Sequence, residues 1–149
     1  MVFSFALRFL RDPETARELA QDVFLQMYRN LGQIDTPAHA TWWLRRAIAH
    51  RCIDEARKRR LRPQVHLEAV PEPAAQGTEI DPFLHDRLRA LIGDLPESAR
   101  TVVILRYQED LDPADISKLL DMPLSTVKSH LHRSLSILRS RLQKQEVCR

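Results

Sequence analysis

Six side chains within residues 126–133 could do chemistry on a polyanion: Thr126, Lys128, Ser129, His130, His132 and Arg133. Short hydroxyls and Lys or Arg are the groups that reach base edges and phosphates in the major groove of duplex DNA. The elements that must position them can be read from the flanking residues. Val127, Leu131, Leu135, Leu138 and Leu142 recur at helical spacing, so the six polar groups share the opposite face of one helix. Ahead of it, Asp121-Met122-Pro123-Leu124 interrupts the chain, because proline cannot continue a helix and biases its predecessor away from helical geometry. Ser125 is predicted to cap the helix that follows and joins the candidate contact residues. A shorter helix precedes the break. Asp112 is placed to cap it, Pro113 suits its first position, Asp115 adds negative charge to its first turn, and Ile116, Leu119 and Leu120 form its inward stripe. Two short helices around a tight turn, the second polar and cationic at its start, describe a helix-turn-helix. The alternative, an ordinary amphipathic helix with a solvated face, does not account for the capped turn or for a second basic region.

That second region lies upstream. Arg45, Arg46, Arg51, Arg57, Lys58, Arg59, Arg60 and Arg62 crowd one stretch, opposed locally by Asp54 and Glu55 alone. Trp42 and Trp43 stand at its start. Adjacent helical residues point about 100° apart, so Trp43 is expected to pack inward and Trp42 to remain available. An aromatic ring beside arginines suits stacking on an unpaired base or wedging under a pair. A further basic cluster, Lys128, Arg133, Arg139, Arg141 and Lys144, follows the turn. Two basic modules on one chain suggest two contacts with one nucleic acid, since each neutralised phosphate releases counterions and tethering raises the effective concentration of the second contact.

The 149 residues carry a formal net charge of +3, so the distribution of charge says more than its total. Two distant cysteines, Cys52 and Cys148, provide neither a disulfide framework nor metal-ligand spacing, which suits a reducing cytoplasm. No apolar run approaches the roughly 20 residues of a membrane span. The opening segment, with Arg8 inside it and no basic stretch before it, reads as part of a core helix rather than a signal peptide. Asp12-Pro13, Asp81-Pro82 and Asp112-Pro113 each mark a predicted helix start. After the first, Ala16, Leu19, Ala20, Val23, Phe24, Met27 and Leu31 make an apolar face that Gly32 should end; a helix from about Ala38 to Arg60 follows. Residues 62–81 hold three prolines, one glycine and several acids without a sustained period, the composition of a linker. The predicted architecture is all-α: two small helical domains, 1–61 and 82–149, joined by a flexible linker at 62–81, the second a helix-turn-helix.

Three segments in order resemble the bacterial sigma factors, the promoter-recognition subunits of RNA polymerase, and the two-domain layout resembles their extracytoplasmic-function group. Residues 16–24, ARELAQDVF, are similar to the AEDLVQEVF pattern that docks on the polymerase clamp. Trp43-Leu44 through Asp54 and Arg57 follow the spacing of the helix that meets the minus-10 element. Residues 123–134, PLSTVKSHLHRS, follow the PxGTVKSRLHRA pattern of the minus-35 reading helix. Departures accompany the match. Ser125 and His130 replace the usual Gly and Arg, and His130 weakens one cationic contact near neutral pH. Ala40-Thr41-Trp42-Trp43 with Arg45, Ala47 and Ile48 is closer to primary sigma factors, with His39 where those carry a stacking tyrosine and Arg46 where they carry glutamine. Family members also begin with a further helix ahead of the segment matching Phe3 to Leu10, so either the start lies upstream or the first domain is shortened and less stable.

The resemblance implies a 1–61 region 2-like domain and an 82–149 region 4-like domain. It implies polymerase contacts at Glu18, Gln21 and Asp22; minus-10 and strand-opening contacts at His39, Thr41, Trp42, Trp43, Arg45, Arg46, His50 and Arg57; and minus-35 contacts at Ser125, Thr126, Lys128, Ser129, His130, His132 and Arg133. The implied partners are core RNA polymerase, through its clamp and flap regions, promoter DNA and an anti-sigma protein. No catalytic residue, metal or cofactor is expected, and no membrane insertion. Two rival classes are a free-standing helix-turn-helix regulator acting without polymerase, and a metal-dependent enzyme. Against the enzyme, His130 and His132 lie two apart on one helix, a spacing that does not bring two side chains together on one ion, and no carboxylate cluster stands nearby.

Overall fold

The computed structural model describes residues 1–61 and 81–147, with side chains described as far as Lys144, and these residues form seven α-helices and one turn of 3-10 helix. The predicted linker, apart from Asp81, lies outside the described residues, as do Arg62 and Cys148. Helix α1 (Val2–Leu10) buries Val2, Phe5, Ala6 and Phe9, one stripe at helical spacing. It stops at Arg11, whose left-handed backbone (φ 58°) lets its amide donate to the Leu7 carbonyl at 2.8 Å.

All three Asp-Pro pairs start helices: α2 (Pro13–Arg29), α4 (Pro82–Gly93) and α6 (Pro113–Leu120). Asp12 and Asp81 act as predicted, each accepting from the amide two residues on at 3.1 Å. Asp112 occupies the N-cap position of α6 but makes no side-chain cap bond; its main chain alone serves, accepting from the Ile116 amide. Helix α3 (Pro37–Arg60) is capped by Thr36, which accepts from the His39 amide at 3.1 Å. Gly32 does not end α2. Asn30 does so earlier, its side-chain amide donating to the Gln26 carbonyl, and Leu31–Gln33 turn once as 3-10 helix.

Helix α5 (Glu97–Tyr107) is the most buried element, from Thr101 through Leu105 without a break. Helix α7 (Leu124–Val147) begins one residue before the predicted cap. The Pro123 carbonyl accepts from Thr126 and Val127, which nucleates the helix at Leu124 and leaves Ser125 inside its first turn.

The halves are not independent bodies. Helices α1 and α3 pack on α5, α3 also on α6, and α1 also on α4. One core joins Phe5, Phe9, Ile48 and Cys52 of the first half to Val102, Leu105, Ile116 and Val127 of the second. Arg100 of α5 crosses the boundary, donating to the Phe9 carbonyl at 2.9 Å and to the Leu95 carbonyl at 3.0 Å, with its guanidinium 4.7 Å from the Phe9 ring centroid. Burial holds its pKa below the usual value, opposed by Glu97 and Asp94.

Candidate nucleic-acid interface

The turn between α6 and α7 is held from both sides. Asp121 takes a left-handed conformation (φ 51°), the Met122 amide donates back to the Ser117 carbonyl at 3.2 Å, and the Ser117 hydroxyl donates to the Met122 carbonyl at 2.6 Å. Asx residues tolerate that backbone better than other residues with a Cβ. With the turn fixed and Val127 fully buried, the start of α7 projects outward. Ser125, Lys128, Ser129, His132 and Arg133 are exposed, and Thr126 and His130 half-buried, so the seven candidate residues share the accessible side of the helix. Burial lowers the pKa of His130, and neighbouring Arg133 lowers it further. His130 is therefore neutral near pH 7 in the free protein.

On α3 the arrangement is only partly as expected. Trp43 packs against the core while Trp42 keeps 38% of its surface exposed, with the Arg46 guanidinium 5.5 Å from its ring centroid. His39 Nδ1 accepts from the Asp35 amide at 3.5 Å, and the Thr41 hydroxyl donates to the Pro37 carbonyl at 3.1 Å. His50 lines an open groove between α2 and α3 with Gln26, Arg51, Asp54 and Lys58, and its Nε2 is buried without a partner. Arg57 and Lys58 are exposed.

Asp54 and Glu55 are the local acids of this stretch, and the fold adds others from distant parts of the chain. Arg45 pairs with Glu109 at 3.1 Å, Arg46 with Asp121, Arg51 with Asp22 at 3.4 Å, Arg59 with Asp12 at 2.8 Å and Arg60 with Glu97. Arg46 also donates to the Leu119 carbonyl at 2.7 Å, placing a cation at the negative end of the α6 dipole. Glu109 and Asp121 were not foreseen as part of this surface, because nothing local marks an acid some 60 or 70 residues downstream as the partner of a given arginine.

Helix α2 presents Glu18, Gln21 and Asp22 to solvent. Beside them Phe24, Leu25, Tyr28 and Leu31 are 52%, 56%, 75% and 49% exposed. Phe24 and Leu31 were assigned to the inward stripe, but Ala16, Ala20 and Val23 fill that role and Phe24, one position on from Val23, is turned about 100° away. An exposed apolar cluster rimmed by polar groups marks a surface for another macromolecule. Among the described residues no cluster of His, Cys, Asp and Glu could hold a metal, and no helix is long and apolar enough to cross a membrane.

Comparison with known proteins agrees with this layout. The Sigma-70 region 2 family model matches residues 1–62, and the Sigma-70, region 4 model matches residues 85–138. The ECF RNA polymerase sigma factor SigW of Bacillus subtilis (strain 168) is 27% identical over 95% of this chain and 83% of its own length. The ECF RNA polymerase sigma factor SigE of Mycolicibacterium smegmatis is 30% identical, covering 96% of this chain and 58% of that protein. In fold, the chain is similar to the sigma factor RpoE of Bartonella quintana, solved in complex with the anti-sigma factor NepR, with a TM-score of 0.77, 19% identity, and coverage of 95% of this chain and 89% of that one. Both family models match in chain order and together take in most of the sequence, so this chain belongs to the sigma-70 family, as an RNA polymerase sigma factor of the extracytoplasmic-function type.

Proposed function

We propose that the chain binds core RNA polymerase and directs it to promoters through two DNA contacts, one double-stranded and one single-stranded. In this reading residues 1–61 act as region 2, 82–149 as region 4, and 62–81 as the tether. The observation that carries it is the outward face at the start of α7: seven hydrogen-bonding or cationic residues, Ser125 to Arg133, held accessible by a locked turn. That face reads the minus-35 duplex. Trp42 and the cations of α3, with His39, Thr41, Trp43, His50 and Arg57, capture bases and phosphates as the minus-10 element opens. Stacking and phosphate contacts to unpaired bases then offset the lost pairing, so the protein works by binding rather than by making or breaking a covalent bond. Glu18, Gln21 and Asp22, with the apolar cluster around Tyr28, dock on the polymerase clamp, and the second domain reaches the flap. The sigma factor RpoE was solved in complex with an anti-sigma factor, and an anti-sigma protein in the cytoplasm is a further partner in this reading, with the exposed α2 face as its docking surface.

The test mixes the chain with core polymerase and genomic promoter fragments and sequences transcripts made only in its presence. Start sites sharing two upstream elements are expected. Duplex binding by the chain alone, with no association with core, would instead favour a free-standing helix-turn-helix regulator.

A further inference from the structure

Helix α7 is longer than the reading of one DNA element requires. Its 24 residues make a rod about 36 Å long, against a major groove about 12 Å wide. With Ser125 to Arg133 seated in the groove, the part of α7 beyond Arg133 runs on for about 20 Å and has to pass over a phosphate wall of the duplex. The cationic face continues onto that part. At 3.6 residues per turn, Arg139 comes round to within about 20° of Lys128 and His132, and Lys144 to within about 20° of Arg133. All five are exposed. Arg141, by contrast, is turned about 160° from Arg139 and faces Asp94 at 3.5 Å. Between Met122 and Lys144 the chain holds no acidic residue, so this face has none of the i,i+4 pairs of opposite charge that ordinarily support a solvated helix. Among the described residues Lys128, Arg133, Arg139 and Lys144 form no ion pair.

We infer that Arg139 and Lys144 make a second, sequence-independent contact with promoter DNA, binding backbone phosphates just outside the minus-35 element while the first turns of α7 read its bases. This contact rests on the reading of α7 as the duplex-binding helix. Charge complementarity and continuity with that reading face point to DNA as the occupant. The cations of the two stretches, Lys128 and Arg139, are separated by about 16 Å along the axis, so one lies in the groove when the other lies at or past its edge. Ser136, Ser140 and Gln143, exposed on the same stripe, add neutral donors of the kind that accompany Arg and Lys on phosphate oxygens. Such a contact strengthens binding to every promoter alike and fixes the register of α7 on the duplex without adding to base preference.

The experiment uses the full chain assembled with core polymerase and a promoter fragment from which that holoenzyme initiates, at a temperature low enough to keep the strands paired. Affinity is measured over a range of salt concentrations for the parent protein, R139Q/K144Q, R141Q and K128Q. Glutamine is a good helix former, and far-UV circular dichroism checks that α7 is intact; R139Q alone replaces the double variant if it is not. Each phosphate contact contributes about 0.9 to the slope of log affinity against log salt. R139Q/K144Q should therefore lower the slope by about 1.8, R139Q alone by about 0.9, and R141Q should leave it as in the parent. R139K/K144R keeps both charges and should restore the slope. The weakening should be equal on a second fragment whose minus-35 element is scrambled, as a phosphate contact requires. A loss confined to the unscrambled fragment overturns the phosphate assignment, because it makes these residues readers of bases. Equal slopes for R139Q/K144Q and R141Q, with that of K128Q lowered, overturn the contact and leave the stripe to an acidic protein surface. Equal slopes in every variant, K128Q included, take α7 off the duplex and overturn the underlying reading as well.

Discussion

Two side chains of α7 sit at odds with their surroundings, and each makes a prediction. Ser134 is 1% exposed and its hydroxyl has no partner. A buried hydroxyl without a hydrogen bond costs about 1–3 kcal/mol, and alanine, the residue of the resembling pattern at this position, removes the cost while favouring the helix. Ser134→Ala should raise stability by about 1 kcal/mol in urea unfolding; a loss of stability would mean the hydroxyl has a partner in solution. His130 carries the second. Its folded pKa lies below the ordinary value, so the unfolded chain takes up the proton first, and stability falls as pH drops below ~6.5. Duplex binding runs the other way: phosphate nearby favours the charged imidazole, so affinity should rise between about pH 7.5 and 5.5. His130→Arg supplies the cation at every pH. It should tighten minus-35 duplex binding several-fold at neutral pH, steepen the dependence of log affinity on log salt by about 0.9, and flatten the pH dependence. Titrations at two salt concentrations and two pH values decide the matter.

Helices in this protein are joined by charged clips at their ends, and the best defined holds α2 to α3. Asp12 caps α2, accepts from the Thr15 hydroxyl at 2.6 Å and pairs with Arg59 at 2.8 Å. Burial works to raise its pKa, but the bonds from Thr15 and Arg59 outweigh it and hold the carboxyl below its usual value. Its stabilising effect is thus present above the unfolded value of ~3.9 and lost as pH falls through the lower folded one. Asp12→Asn keeps a competent cap and loses the charge. It should cost about 1–2 kcal/mol at pH 7, with the gap from the parent protein closing below about pH 4. Capping of this kind is local, so every helix start marked by Asp-Pro could be read from sequence, as could the inward stripes of α6 and α7 and the outward polar face of α7. What escaped the sequence was non-local. The partners of Arg45, Arg46 and Arg60 come from the other half of the chain, and an apparently free basic cluster proved to be largely neutralised. The exposed apolar face of α2 was missed for a different reason: Phe24 and Leu31 satisfy the period of a core stripe, and periodicity does not say which of two adjacent apolar positions the neighbouring helices will cover.

At the scale of the molecule, the shared core makes the packing of the two halves on each other a part of folding itself. Phe5 is 1% exposed and stacks on Phe9, with ring centroids 6.3 Å apart; Arg100 of the other half covers the Phe9 ring. If Ile48 and Cys52 of α3 share a core with Leu105 and Ile116, neither half can lose its packing without exposing apolar surface of the other. Burial also pushes the Cys52 thiol up to about 12, which keeps this residue a packing group rather than a nucleophile. Both tryptophans lie in α3, so their fluorescence follows the first half, whereas far-UV circular dichroism follows all helices. The two signals should change together in urea as one transition. Phe5→Ala should shift both midpoints by the same amount, at a cost of about 3–5 kcal/mol, a large share of the 5–15 kcal/mol typical of a whole domain.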